Sequence, residues 1–127
     1  MESVSPNLYV HDLQATIDFY TLLGFQVVAT VPEDGDPIFA MMVNEGVTFM
    51  FQTFASLGDQ LKDVSRAGGG SLLLYLKVKG VREYHERLKD RVTIIHELQT
   101  TFYGATEFSI RDNNGFVLTL AEDEVRG

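Results

Sequence analysis

Residues 7–25, NLYVHDLQATIDFYTLLGF, carry the pattern from which the rest of the chain is read. Leu8 and Val10 fall on one side of a short extended run and Asn7 and Tyr9 on the other, the alternation of a half-buried strand. Asp12 follows with a carboxylate suited to the free N–H groups of a helix start, where the helix dipole favours negative charge. Leu13, Ile17, Tyr20 and Leu23 recur at three- and four-residue steps and lay an apolar stripe along that helix. Gly24 stands where a left-handed residue commonly ends a helix, and Phe25 opens another β-rich run.

The pattern then extends and repeats. Phe25–Val31 is rich in β-branched residues, turn formers fill 32–37, and Ile38–Val43 and Val47–Thr53 flank an Asn44-Glu45-Gly46 hairpin turn. Farther on, Leu72–Val78 reads as a strand, and Val81, Tyr84, His85 and Leu88 form the stripe of a second helix, with Glu83–Arg87 and Arg82–Glu86 as i,i+4 pairs on its outside. Val92–Leu98, Ala105–Arg111 and Phe116–Ala121 are strands, Gln99–Gly104 a loop, Asp112-Asn113-Asn114-Gly115 a tight turn and Glu122-Asp123-Glu124 an acidic tail. Val10 and Val78 stand 68 residues apart, as do Leu13 and Val81, which marks an internal duplication. The expectation is an α+β protein, one domain over residues 1–127, with two βαβββ modules at about 4–53 and 72–121. In the linker 54–71, Ser56–Arg66 is expected to hold a short helix, and the Ala67-Gly68-Gly69-Gly70-Ser71 run to supply flexibility. The triple glycine lacks the Lys-Ser/Thr spacing of a phosphate loop.

Composition narrows the function classes. A chain of 127 residues fits one domain with a real core, and nine Phe and five Tyr suit a folded protein. Eighteen acidic against ten basic residues give a net charge of −8, which argues against nucleic-acid binding, since that needs a basic stripe to replace phosphate counterions. No apolar run is long enough to span a bilayer, and MESVSPN has neither a basic patch nor an apolar core, so no membrane or secretory role is expected. With no cysteine there is no disulfide, thiolate metal site or cysteine nucleophile, in keeping with a cytoplasmic protein.

Asn7-Leu8-Tyr9-Val10-His11-Asp12-Leu13, then Phe19-Tyr20 and Leu23-Gly24-Phe25, resembles the opening of the vicinal oxygen chelate superfamily of glyoxalases, bleomycin resistance proteins and extradiol dioxygenases. Tyr103-Gly104 with Phe108–Phe116 resembles its closing signature, with Asn113 and Phe116 as departures. The resemblance implies that the two modules curl into an open, barrel-like half-shell whose concave side holds a ligand, and that the protein forms a homodimer. In metal-dependent members, His and Glu or Gln residues from the first and fourth strand of each module would hold a metal. Carried over residue by residue, those positions fall on Ser5, Met50, Leu73 and Thr119, none a usual ligand for such a metal. Gln52 would stand alone as a donor. The resemblance therefore points to a metal-free branch similar to bleomycin resistance proteins, without cofactor.

If those four positions face the concavity, strand alternation brings Asn7, Tyr9, Thr48, Gln52, Tyr75, Lys77, Val117 and Ala121 with them, and Glu107, Ser109 and Arg111 from the neighbouring strand. Phe39 and Met41 are placed inward on the third strand. The candidate ligand-binding set is Tyr9, Phe39, Met41, Met50, Gln52, Leu73, Tyr75, Tyr103, Glu107, Arg111 and Thr119, an apolar and aromatic surface with a few polar groups. Two alternatives stay open: these side chains simply fill the shell, and Lys77, Glu107 and Arg111 form an internal ion-pair set. His11 and His85 read as surface residues, and His96 as a rim acid or base. The functional expectation is a metal-independent protein that sequesters a small, partly aromatic molecule in its concave pocket or at a dimer crevice. The alternative is a metal-dependent lyase, isomerase or oxygenase.

Overall fold

Asn7–Val10 forms strand β1 and Leu13–Leu22 helix α1, as the opening pattern predicts. The Asp12 side chain caps α1 by accepting from the Ala15 N–H at 3.0 Å, and its main-chain carbonyl takes the Thr16 hydroxyl at 2.8 Å. At the far end the Phe25 N–H reaches back to the Tyr20 carbonyl at 3.1 Å, and Gly24 sits at φ +98°. Gln26–Val31 (β2), Phe39–Asn44 (β3) and Val47–Thr53 (β4) complete one four-stranded sheet in the order β1-β4-β3-β2. Here β1 runs parallel to β4, and the other pairs are antiparallel.

The computed structural model describes residues Met1–Glu124 and divides the chain at Gly68/Gly69 into two units. In the first unit the helix-facing side of the sheet is aromatic. Tyr20 is wholly buried, with ring centroids 4.7 Å from Phe51, 5.5 Å from Phe49 and 5.8 Å from Phe25. Leu8, Val10, Ala40 and Met42 surround them, every one on the side that strand alternation assigns to the helix.

The second unit repeats the topology. Leu73–Lys77 (β5), helix α3 (Val81–Leu88), Thr93–Thr100 (β6), Ala105–Arg111 (β7) and Val117–Asp123 (β8) give the sheet order β5-β8-β7-β6, with β5 parallel to β8. The first unit also holds, directly after β4, the single-turn helix α2 (Phe54–Leu57), capped by Thr53. The helix side of the second sheet is built from Phe108, Ile110, Leu118 and Leu120 against Val81 and Leu88. Two four-stranded mixed sheets, each with a helix on one face, make an α+β fold of duplicated βαβββ units.

Several expectations need correction. The short helix is Phe54–Leu57 rather than within Ser56–Arg66, because Thr53 supplies the cap at its start. Residues after it form a turn gathered by Arg66, whose guanidinium donates to the carbonyls of Gly58, Gln60, Leu61 and Val64 at 2.9–3.4 Å. Gly69, expected as flexible linker, is buried at φ +83°, and a Cβ there would lie 2.6 Å from the Gly115 carbonyl. β6 runs two residues past Leu98, to Thr100, and β8 takes in Glu122 and Asp123, which are therefore no tail. Glu122 accepts from the N–H groups of Gly80 and Val81 at 3.0 and 3.2 Å, which caps α3 where Gly80 has no side chain to do so. The Glu122 carboxyl is held below the usual range by those two N–H bonds, with Arg82 adding to the effect. Arg82 pairs with Glu124 rather than Glu86, and Glu86 takes Lys89 instead.

Candidate functional site

The side of each sheet away from its helix collects the residues expected to bind a ligand. In the first unit the register sets Asn7 beside Met50, Tyr9 beside Gln52, and Met41 and Phe39 on the other side of β4, next to Met50 and Gln52. All six are half-buried. Asn7 donates to the Gln52 side-chain oxygen at 3.2 Å, and Gln52 donates to the Ser56 hydroxyl at 3.1 Å, a short chain that fixes both amides. Tyr9 and His11 both lean on Phe54, at 6.1 and 4.6 Å between ring centroids. Gln52 is thus occupied as a hydrogen-bonding residue between Asn7 and Ser56, with Tyr9 and Phe39 as its strand neighbours.

In the second unit the corresponding face is more polar. Leu73, Tyr75 and Lys77 point from β5 beside Val117, Thr119 and Ala121 of β8, and Ser109 and Glu107 flank Thr119 and Ala121 from β7. The Thr119 and Ser109 hydroxyls are 2.7 Å apart and buried. Tyr75 donates to Glu107 Oε2 at 3.1 Å, and Tyr103 donates to Glu107 Oε1 at 2.6 Å. To reach Glu107, two strands away, the Tyr75 side chain crosses β8, and the small Thr119 and Ala121 side chains leave room beneath it. Partial loss of solvent, followed by the Glu107 carboxylate that accepts its proton, pushes Tyr75 up to about 12. Tyr103 is also raised, chiefly by its hydrogen bond to Glu107.

Lys77, Glu107 and Arg111 do not form an internal ion-pair set. Lys77 turns to Asp123 at 2.9 Å in an exposed pair, because β8 extends far enough to present that carboxylate. Arg111 is exposed at the end of β7, where it lies beside Thr93 and Val117. His96 lies exposed on β6, between two irregularities of register. Those irregularities put one extra residue of β6 on either side of His96. His85 is half-buried rather than a surface residue, edge-on to Phe108 at 5.2 Å and 3.6 Å from Glu97. Phe102, fully exposed and 5.1 Å from Tyr103, joins the aromatic group although sequence reasoning passed over it. Two adjacent aromatic residues in a polar loop were the available signal.

The donor set for a metal can be judged from the same side chains. Ser5, Met50, Leu73 and Thr119 offer two hydroxyls, a thioether and a hydrocarbon, and the Thr119 hydroxyl is already bonded to Ser109. Divalent ions of the kind bound by imidazole and carboxylate do not fit such a set. Among the described residues no three His, Asp or Glu side chains gather as a metal-holding group. No helix among them is long and apolar enough to cross a membrane.

A duplicated βαβββ unit whose long helix covers one sheet face and leaves the other largely open defines a class of small α+β proteins, and sequence and structure comparisons agree on which. The chain belongs to the glyoxalase/bleomycin resistance protein/dioxygenase superfamily, whose family model matches residues 3–120. No curated protein matches it. Among solved structures it is similar to TioX from Micromonospora sp. ML1, at 21% identity over 97% of this chain and 99% of that one, with a TM-score of 0.79. A family enzyme from Burkholderia phytofirmans PsJN is similar at 21% identity over 94% and 96%, with a TM-score of 0.77. A bleomycin-binding protein complexed with bleomycin is similar at 20% identity over 98% and 100%, with a TM-score of 0.66. At these identities the shared property is the fold.

Proposed function

We propose that this chain is a metal-independent binding protein that sequesters a small, partly aromatic molecule on the open faces of its sheets. The observation that carries the reading is the state of Thr119. The residue at a position where metal-dependent relatives would place a ligand is buried, and its hydroxyl is spent on Ser109. Around it the face offers half-exposed Leu73, Tyr75 and Tyr103 and the fully exposed ring of Phe102, surface suited to stacking. The bleomycin-binding protein of the same fold lends the reading support. Capture would be stoichiometric, in the cytoplasm, by a homodimer.

Metal analysis combined with thermal unfolding tests this. The purified protein is expected to hold no stoichiometric Fe, Mn, Ni or Zn, and chelator should leave its melting temperature unchanged. Bleomycin and small aromatic amines are the first ligands to screen. One that binds should stabilise the fold by about 2.7 kcal/mol at a hundred times its Kd. A stoichiometric metal lost on replacing one of the face residues would overturn the proposal in favour of a metal-dependent lyase, isomerase or oxygenase.

A further inference from the structure

We infer that Glu107, framed by Tyr75 and Tyr103, is a recognition site for an organic ammonium or guanidinium group carried on an apolar body. The inference rests on the binding reading above and names the chemistry of the ligand. Among the described residues the ion pairs join Lys77 to Asp123, Arg82 to Glu124 and Lys89 to Glu86, and His85 stands beside Glu97. Among the described residues Glu107 meets no Lys, Arg or His; its partners there are two phenol hydroxyls, one on each oxygen. Arg111, four residues along the same strand, is about 14 Å away by strand rise.

Two hydroxyls orient the carboxylate without neutralising it. A carboxylate has about four lone-pair positions, so roughly two remain to accept from a ligand's N–H groups. The rings that deliver the hydroxyls are themselves about half exposed, 45% for Tyr75 and 51% for Tyr103, with Phe102 beyond them fully exposed. A cation seated on Glu107 would therefore find ring faces beside it, and cation–π attraction acts together with the charge-assisted hydrogen bond. An anion would meet an unneutralised carboxylate. A neutral aromatic would gain the ring contacts alone. The overall charge of −8 adds long-range attraction for a cation.

Titration of the protein with 2-phenylethylamine, protonated at neutral pH, and with neutral 2-phenylethanol, followed by NMR shifts of the tyrosine rings, separates the possibilities. The amine should bind and shift Tyr75 and Tyr103. It should weaken about tenfold or more in Glu107→Gln, the size of one charge-assisted hydrogen bond. Binding of the amine should also weaken with added salt, and the alcohol should be indifferent to both changes. Tyr103→Phe, which leaves the carboxylate in place, keeps the test open if the Gln variant unfolds: amine binding should persist with a reduced preference over the alcohol. Equal binding of amine and alcohol, unaffected by Glu107→Gln, would overturn the cation assignment while leaving the aromatic-binding reading standing. Binding of neither at millimolar concentration would overturn both.

Discussion

The two units share a topology and differ in how each is held together and what each displays. Asp12, immediately before α1, caps that helix from its own sequence; Gly80 holds the matching place before α3, and the cap arrives from Glu122 in another strand. Tyr20 anchors an aromatic core in the first unit, while Leu88, 68 residues on, belongs to a mainly aliphatic one in which Phe108 is the large buried ring. On the open faces the register places Glu107 where the first sheet has Phe39, and Ser109 where it has Met41. Duplication preserved the helix side of both sheets as apolar and left the other side free to diverge. That is the expected outcome when one face must be buried for stability and the other need not be.

The comparison breaks most visibly at Tyr20. Tyr20→Ala removes a wholly buried ring in contact with four others, Phe19, Phe25, Phe49 and Phe51, and chemical denaturation should show a loss of about 4 kcal/mol. If the loss is under about 1 kcal/mol, the aromatic cluster is not the core of the first unit. Next comes Gly69→Ala. A left-handed φ and a backbone carbonyl 2.6 Å from the new Cβ should together cost about 2–3 kcal/mol. Gly46→Ala, with open space around it, is the control and should be tolerated with a loss of about 1 kcal/mol or less. A neutral result at Gly69 would restore the simple linker reading of the triple glycine.

The smallest effect concerns the borrowed cap. The Glu122 carboxyl is depressed in the folded state, so its contribution is fully present above the ordinary glutamate range and disappears as pH falls through the folded value. Melting curves of the wild type and Glu122→Gln should therefore differ most near neutral pH and converge in acid. A difference that is flat with pH would mean that the carboxylate charge is irrelevant to the cap.

Much of this architecture was legible because it rests on local periodicity. Leu13, Ile17, Tyr20 and Leu23 announce one helix and Val81, Tyr84, His85 and Leu88 the other, and alternation in Val47–Thr53 and Ala105–Arg111 separates core from open face correctly. What escaped depends on partners distant in sequence. Nothing near Gly69 announces the Gly115 carbonyl, and nothing near Lys77 announces Asp123. The β6 irregularities shift register without a glycine or proline to flag them. For the candidate site, Tyr75, Tyr103 and Glu107 could be named from strand parity and the loop position, but not that two hydroxyls would converge on one carboxylate. That convergence needs Tyr75 to cross β8, a property of sheet order rather than of any single strand.

Glu122 also bears on the order of events in a growing chain. α1 leaves the ribosome directly behind its own cap, and β1 to β4 are complete once Thr53 has been added. α3 must wait, since its anionic cap is encoded 41 residues after Val81, in the strand that also pairs with β5. Until residue 122 emerges, the N-terminal amides of that helix have only water to satisfy them, and β5 lacks its parallel partner. A pause in translation across residues 89–121 would thus leave a finished first unit tethered to an unfinished second one.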